Sequence, residues 1–391
     1  MAGICVVLSF LILGVVAAPA AATADERPLE RRLERSLREV VNGPGGSPGA
    51  SAVLRRRGDE EFIKVGVADV ESGKPFGRNQ HMRIASVSKA FSGAVGLALV
   101  DDGILALDDT IAERLPWLPA EWGPVTLAQM MSHTGGLPSF TKDPGYLQFF
   151  VDHLQDTDIT LEDLVGFVAG PPPVPLRYPP GTAYEYSNTD NIVIALMAEA
   201  ATGETYHELL VDEVFEPLGL SKTDLPNDSV LPGPKIHGYE TRPLEDFEDL
   251  TECCTMGLVS ASGGIYSTPH ELTRFVRGYV RGELFGRATR DAQFDFVPDG
   301  GSEPPGPGRN SAGLGVFRYK TDCGTVFGHT GNFPGYTQFT ASTKNGRRSV
   351  TVSANRQLAP DASGVDARRA FERLHRSYRV AVCALLEPAG R

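Results

Sequence analysis

Ile84-Ala85-Ser86-Val87-Ser88-Lys89 runs straight into Ala90-Phe91-Ser92-Gly93-Ala94-Val95-Gly96-Leu97-Ala98-Leu99-Val100, and the rest of the chain is organised around this stretch. The run after Lys89 is almost wholly apolar and stops at Asp101-Asp102-Gly103, which predicts a buried helix ended by glycine. Ser86 then sits at a helix N-terminus with Lys89 one turn on, and residues three apart share a helix face. A serine hydroxyl attacks only when a base takes its proton. A lysine can be that base where burial or a positive neighbour, here the helix dipole, lowers its pKa. Ser-x-x-Lys is a short motif, and Ser139-Phe140-Thr141-Lys142 repeats it. That copy follows Pro138 and runs into Asp143-Pro144-Gly145, turn residues after which no long helix is expected, so it is set aside.

The chain of 391 residues, 41% hydrophobic and 22% charged, has an ordinary globular composition and length for a large core. A net charge of -12 gives no electrostatic footprint for nucleic acid or anionic lipid. Ile4 to Ala17 is apolar and leads into small residues with Ala22 and Ala24 in Ala-x-Ala spacing. This predicts a secretory signal over 1–24, cut before Asp25, leaving a mature chain outside the cytoplasm that does not span the membrane. Cys5 would leave with it. Of the remaining cysteines, Cys323 and Cys383 are the preferred bridge, tying a late strand to the final helix. Adjacent Cys253 and Cys254 form a strained ring or stay reduced. No metal-ligand spacing occurs, since His207-Glu208 and His270-Glu271 lack a second histidine.

Along the chain, a helix with one apolar stripe is expected over Pro28 to Val41, then strands at Ala50 to Leu54, Phe62 to Val70 and His81 to Ala85. Helices follow at Thr126 to Ser132, Thr160 to Val168, Thr189 to Ala201 and Tyr206 to Val214. Thr268-Pro269-His270-Glu271 opens another as a capping box. Strands return at Leu314 to Tyr319, Thr325 to Gly328, Gly335 to Ser342 and Ser349 to Ala354, and a helix from Asp366 to Leu385 closes the chain. Strands at both ends with helices between them give an α+β reading: a sheet lobe (about 25–104 and 256–391) carrying a helical lobe (about 105–255), with the site in the crevice between them.

Two more clusters carry chemistry. Tyr186-Ser187-Asn188 is the one Tyr-x-Asn in the sequence and follows the turn Pro179-Pro180-Gly181. A phenol can relay a proton to a leaving amine, and an amide can hold both a lysine and a substrate; an ordinary helix-capping loop fits the same residues. His329-Thr330-Gly331 ends the strand through Val326-Phe327-Gly328, where an edge can hold a peptide and glycine permits close approach. The earlier His133-Thr134-Gly135 follows a predicted helix and reads as its stop.

Ser86-x-x-Lys89, Tyr186-x-Asn188 and His329-Thr330-Gly331 occur in the order and contexts of the serine β-lactamase and penicillin-binding protein superfamily. Met131-Ser132-His133-Thr134-Gly135-Gly136-Leu137 and Ser262-Gly263-Gly264-Ile265-Tyr266-Ser267-Thr268 resemble segments of its class C-related branch. Histidine in the third motif, and the places of Cys323 and Cys383, resemble the secreted D-alanyl-D-alanine carboxypeptidases. The resemblance covers most of the mature chain and implies a β-lactamase/transpeptidase-like fold: an antiparallel sheet flanked by helices, with an inserted helical lobe. It implies that Ser86 forms an acyl-enzyme, that Lys89 and Tyr186 exchange the proton, and that Asn188 orients Lys89 and the substrate amide. The N–H groups of Ser86 and Asn332 would form the oxyanion hole, and His329 and Thr330 would help bind the substrate carboxylate. No cofactor is implied. Expected partners are D-Ala-D-Ala-ended or peptidoglycan stem peptides and β-lactams, with the protein acting as a monomer. One departure concerns Arg318, which could hold a terminal carboxylate; if Phe317 takes that place instead, an esterase or amidase gains over a carboxypeptidase. The rivals are therefore an esterase, β-lactamase or D-aminopeptidase on this scaffold, or a non-catalytic penicillin-binding sensor.

Overall fold

The computed structural model describes residues 27–56, 58–241 and 247–387, so the predicted signal segment and Cys5 lie outside the described residues. Helix α1 (Arg27–Asn42) leads into β1 (Gly49–Arg56), β2 (Asp59–Gly66) and the two-residue β3 (Met82–Arg83). A 3-10 turn over Ala85–Val87 then feeds α2 (Ser88–Asp101), so Ser86 stands in the turn rather than on the helix proper. Next come α3 (Leu127–Met131), α4 (Pro144–Asp152), α5 (Leu161–Ala169) and α6 (Asn188–Thr202). A small hairpin, β4 (Tyr239–Thr241) and β5 (Phe247–Asp249), and the short β6 (Tyr266–Ser267) precede α7 (Pro269–Arg281). The chain ends with β7 (Val297–Pro298), β8 (Arg309–Ala312), β9 (Phe317–Thr321), β10 (Gly324–Phe333), β11 (Tyr336–Ser342), β12 (Ser349–Ala354) and α8 (Val365–Leu386).

Eight strands form one antiparallel sheet in the order β2-β1-β12-β11-β10-β9-β8-β7. α1 and α8 cover one face with Leu33, Leu37, Leu374 and Tyr378, and α7 packs on β11 and β12 from the other. A second, larger core joins α2 to α5, α6 and the loops between them. Every residue of α2 from Ser88 to Leu99 is buried, which is why its sequence is apolar on all sides. Its Gly93 lets it lie against Gly315: a Cβ there would stand 2.7 Å from the Gly315 Cα.

Several helices start on threonine caps, as Ser/Thr at an N-cap satisfies orphan N–H groups. Thr126 and Thr160 form full capping boxes with Gln129 and Asp163. The box expected at Thr268 is only half made. The Thr268 hydroxyl accepts from the Glu271 N–H, but the Glu271 carboxylate turns away to accept from the Lys222 N–H at 2.9 Å and the Thr223 hydroxyl at 2.7 Å. A second correction is α4, which starts at the residues read as a turn: Asp143 caps the Gly145 and Tyr146 N–H groups, and Pro144 sits in the first turn, where its missing N–H costs nothing. A third is the third motif, which lies inside β10 rather than at its end. β9 pairs only with Gly324 to Gly328, whereas β11 pairs with Phe327 to Phe333, so His329 onward has a strand on one side.

Candidate active site

Three elements bring the pieces together. The turn before α2 carries Ser86, the start of α6 carries Tyr186 and Asn188, and β10 supplies the wall behind them. Gly331 makes this approach possible. A Cβ there would overlap the Ile84 carbonyl and stand 3.1 Å from both the Ser86 nitrogen and the Ala85 Cβ. Ala85 adopts φ +52, a conformation that non-glycine residues seldom hold without support.

Lys89 Nζ donates to Ser86 Oγ at 3.1 Å and to the Ser262 carbonyl at 2.6 Å. The lysine is buried, and burial lowers its pKa to about 7, with Glu303 and Asp190 pulling weakly the other way. Its ammonium lies 5.1 Å from the centre of the Tyr186 ring. Tyr186 is buried too, and burial holds its phenol well above the ordinary value while the Ser86 hydroxyl acts in the opposite direction. At neutral pH the site thus holds a lysine able to take a proton beside a tyrosine that keeps one.

Among the described residues, Asn188 makes no hydrogen bond to Lys89. Its Nδ2 donates to Thr141 Oγ1 at 2.7 Å, and its backbone N–H donates to Ser139 Oγ at 3.1 Å. The set-aside copy of Ser-x-x-Lys therefore holds Asn188 in place. Asn332 lines the cleft with Ser86 and Asn188, its Oδ1 accepting from Thr337 Oγ1 at 3.1 Å. His329 is buried, its Nδ1 lies 2.5 Å from the Thr330 carbonyl, and burial drops its pKa to about 3, so it is neutral. The Thr330 hydroxyl donates to the Pro304 carbonyl at 2.5 Å.

The Arg318 question resolves by strand parity. Phe317 is buried with its ring 5.0 Å from that of His329 and 6.5 Å from that of Tyr186. Arg318 points to the other face, over the Phe296 ring at 4.5 Å and donating to Ser311 Oγ at 3.1 Å. Of the two alternatives, Phe317 rather than Arg318 therefore faces His329 and Tyr186.

His133 is more than a helix stop. It follows α3 with φ +55, its ring lies 4.6 Å from that of Tyr186, and its Nδ1 is 2.6 Å from Asp190 Oδ2. Burial moves the His133 pKa well down and the Asp190 pKa well up. The cleft itself is about 340 Å³. Tyr146, Leu147, Phe150 and Phe333 give it apolar lining, and Ser86, Thr141, Asn188 and Asn332 polar lining. The Cys323–Cys383 disulfide is present, with a Cα–Cα distance of 5.1 Å, and Cys253 and Cys254 are free thiols.

Among curated proteins, the chain is similar to Penicillin-binding protein 4* of Bacillus subtilis (25% identical over 305 residues, 75% of this chain and 64% of that protein). It is also similar to a Beta-lactamase of Yersinia enterocolitica (26% over 236 residues, 59% of this chain and 55% of that protein). The chain thus spans less than two thirds of either relative. Among solved structures, it is similar to a D-stereospecific amidohydrolase from Streptomyces sp. (TM-score 0.73, 25% identity, 87% of this chain and 98% of that one). The D-amino acid amidase of Ochrobactrum anthropi SV3 shares the fold at TM-score 0.77 and 22% identity, over 90% of this chain and 98% of that one. The Beta-lactamase family profile matches residues 31–375, across the turn of Ser86, the start of α6 and β10, and the chain belongs to that family.

Proposed function

We propose that this protein is an exported serine amidohydrolase that forms an acyl-enzyme on Ser86 and cleaves small amides or esters of D-amino acids. The observation that carries the reading is Lys89, held near neutrality 3.1 Å from Ser86 Oγ beside a still-protonated Tyr186. As Ser86 Oγ attacks the carbonyl carbon, Lys89 takes the hydroxyl proton. Charge then develops on the carbonyl oxygen, which the Ser86 and Asn332 N–H groups would receive; one such donor is worth roughly 3 kcal/mol of barrier. Tyr186 gives its proton to the leaving nitrogen, and the C–N bond breaks. Water then hydrolyses the ester on Ser86 by the reverse proton path.

For the acyl side chain, the apolar lining of the cleft suits an aromatic or branched aliphatic group. The D configuration is taken from the Streptomyces amidohydrolase. Export is supported by the disulfide, which persists in oxidising compartments. Similarity to a penicillin-binding protein favours a second reading, a D-alanyl-D-alanine carboxypeptidase acylated by β-lactams. That activity needs a cation for the terminal carboxylate, and Arg318 is turned away while His329 is neutral.

Hydrolysis of D-phenylalanine amide and of an N-acyl-D-Ala-D-Ala peptide, with intact mass of the acyl-enzyme, tests both. The amide should be cleaved at least tenfold more efficiently, and Ser86→Ala should lower kcat/KM by about three orders of magnitude or more. Faster cleavage of the peptide, with a lasting penicillin adduct, would give the site to the carboxypeptidase. Turnover that survives Ser86→Ala would sink both readings.

A further inference from the structure

The chain carries 49 acidic against 37 basic residues, yet the charged residues around one surface depression are all arginines. Arg55 stands near the end of β1, Arg277 and Arg281 lie four residues apart on α7, and Arg347 comes from the turn between β11 and β12. With Asn345 and Gly346 they line a hollow of about 720 Å³, and among the described residues no Asp or Glu lines it. The turn is seated directly on the helix. A Cβ on Gly346, which holds φ +66, would stand 2.9 Å from the Arg281 Cβ and 3.1 Å from the Arg277 carbonyl. Within the turn, the Thr343 N–H donates to the Arg348 carbonyl at 2.9 Å and the Arg347 N–H to Asn345 Oδ1 at 3.1 Å, which fixes the Arg347 backbone.

Three of the four guanidinium groups are unspent. Arg281 pairs with Glu283 at 3.0 Å, but among the described residues Arg55, Arg277 and Arg347 make no side-chain hydrogen bond or ion pair. Arg348, the next residue of the turn, is by contrast tied to the Leu385 and Leu386 carbonyls at 3.1 and 2.8 Å. Glu60 sits opposite Arg55 in the β1–β2 register, but its carboxylate is engaged by His270 Nδ1 at 2.7 Å and lies 3.8 Å from Arg78. Arg55 and Arg277 are half-buried, so their repulsion is screened less than on an open surface. Guanidinium forks match the oxygens of a phosphate, which relieves that repulsion. We propose that this hollow is a binding site for a phosphate-bearing ligand, held by Arg55, Arg277 and Arg347 from three separate elements. The site is independent of the chemistry at Ser86.

Inorganic pyrophosphate, titrated calorimetrically at low ionic strength, is the soluble probe. Pelleting with phosphatidylcholine vesicles, with and without phosphatidic acid, probes a lipid headgroup. Pyrophosphate should bind saturably, and Arg55→Gln and Arg277→Gln should each weaken it roughly tenfold or more. Lys320→Gln removes an exposed charge from β9, four strands from β1 in the sheet, and should leave binding within twofold. Binding that requires the arginines, with no pelleting, identifies a soluble phosphate compound; pelleting that requires both phosphatidic acid and the arginines identifies a headgroup. No binding to either probe, or binding that the arginine variants leave within twofold, overturns the inference, as does an equal loss in Lys320→Gln. Thermal melting shows whether each variant is folded. If neither half-buried arginine can be replaced, Arg347→Gln, on the exposed turn, should still weaken binding roughly fivefold, and no change there overturns the site.

Discussion

Lys89 carries an ionisation that both activity and stability register. Burial brings it from lysine's ordinary 10.5 to about 7, a difference of about 5 kcal/mol. The unfolded chain keeps that proton up to pH 10.5, whereas the folded protein releases it near 7, so this group makes stability rise with pH across that window. Below pH 7 the cost of burying an ammonium is present in full. Lys89→Met removes the charge at similar length. It is expected to abolish turnover and raise the thermal midpoint at pH 6, with the gain shrinking towards pH 10; melting both proteins at pH 6, 8 and 10 checks this, and a constant gap would refute it. The wild-type kcat/KM should also have its acid limb near pH 7. Ser86 and Lys89 are legible in the sequence because their contact is local, three residues along one turn. The Ser262 carbonyl that accepts the other lysine hydrogen bond is 173 residues away, and no periodicity announces it. The Ser139 and Thr141 hydroxyls on Asn188 are hidden for the same reason. For Phe317 and Arg318, alternation says that they face opposite ways, but only the strand register says which one faces the site.

At the level of elements, β10 is the piece on which the site depends most. Gly331→Ala would push a methyl into the Ile84 carbonyl and towards the Ser86 nitrogen, so β10 and the Ser86 turn must part. A loss of about 1–3 kcal/mol in stability is expected, together with a hundredfold or greater fall in kcat/KM. Thermal melts and kinetics on the purified variant measure both, and near-wild-type kinetics would show that the turn can retreat without harm. β10 is also tethered, since Cys323 precedes its first residue and Cys383 lies in the last turns of α8, 60 residues on. Closing a loop of that length is worth about 4 kcal/mol in the unfolded-chain account. Cys323→Ser with Cys383→Ser should therefore lose about 2–4 kcal/mol, readable by denaturant titration under non-reducing conditions. The longer helices are visible in the sequence through their threonine caps and apolar runs. α4 is hidden because Asp143-Pro144 serves equally as a turn and as an N-cap with its first residue.

For the whole molecule, the α+β plan follows from β-rich segments at both ends of the chain. Their pairing does not: β1 meets β12 across some 300 residues of sequence, with Ala50 opposite Ala354. The sheet order depends on that distant junction, while the β4–β5 hairpin and the edge strands β7 and β8 pair locally but are short and polar, with little alternation to read. That same pairing sets a clock on how the chain comes into being. The β1–β2 hairpin leaves the ribosome long before β12 exists, and its β1 side stays an unsatisfied edge until residue 354 has been made. Few native sheet contacts can reward the early half of the chain, so folding is a late and largely post-synthetic event. A chain of this layout remains unfolded and threadable for most of its synthesis, and acquires its chemistry only once its last strand and closing helix are in place.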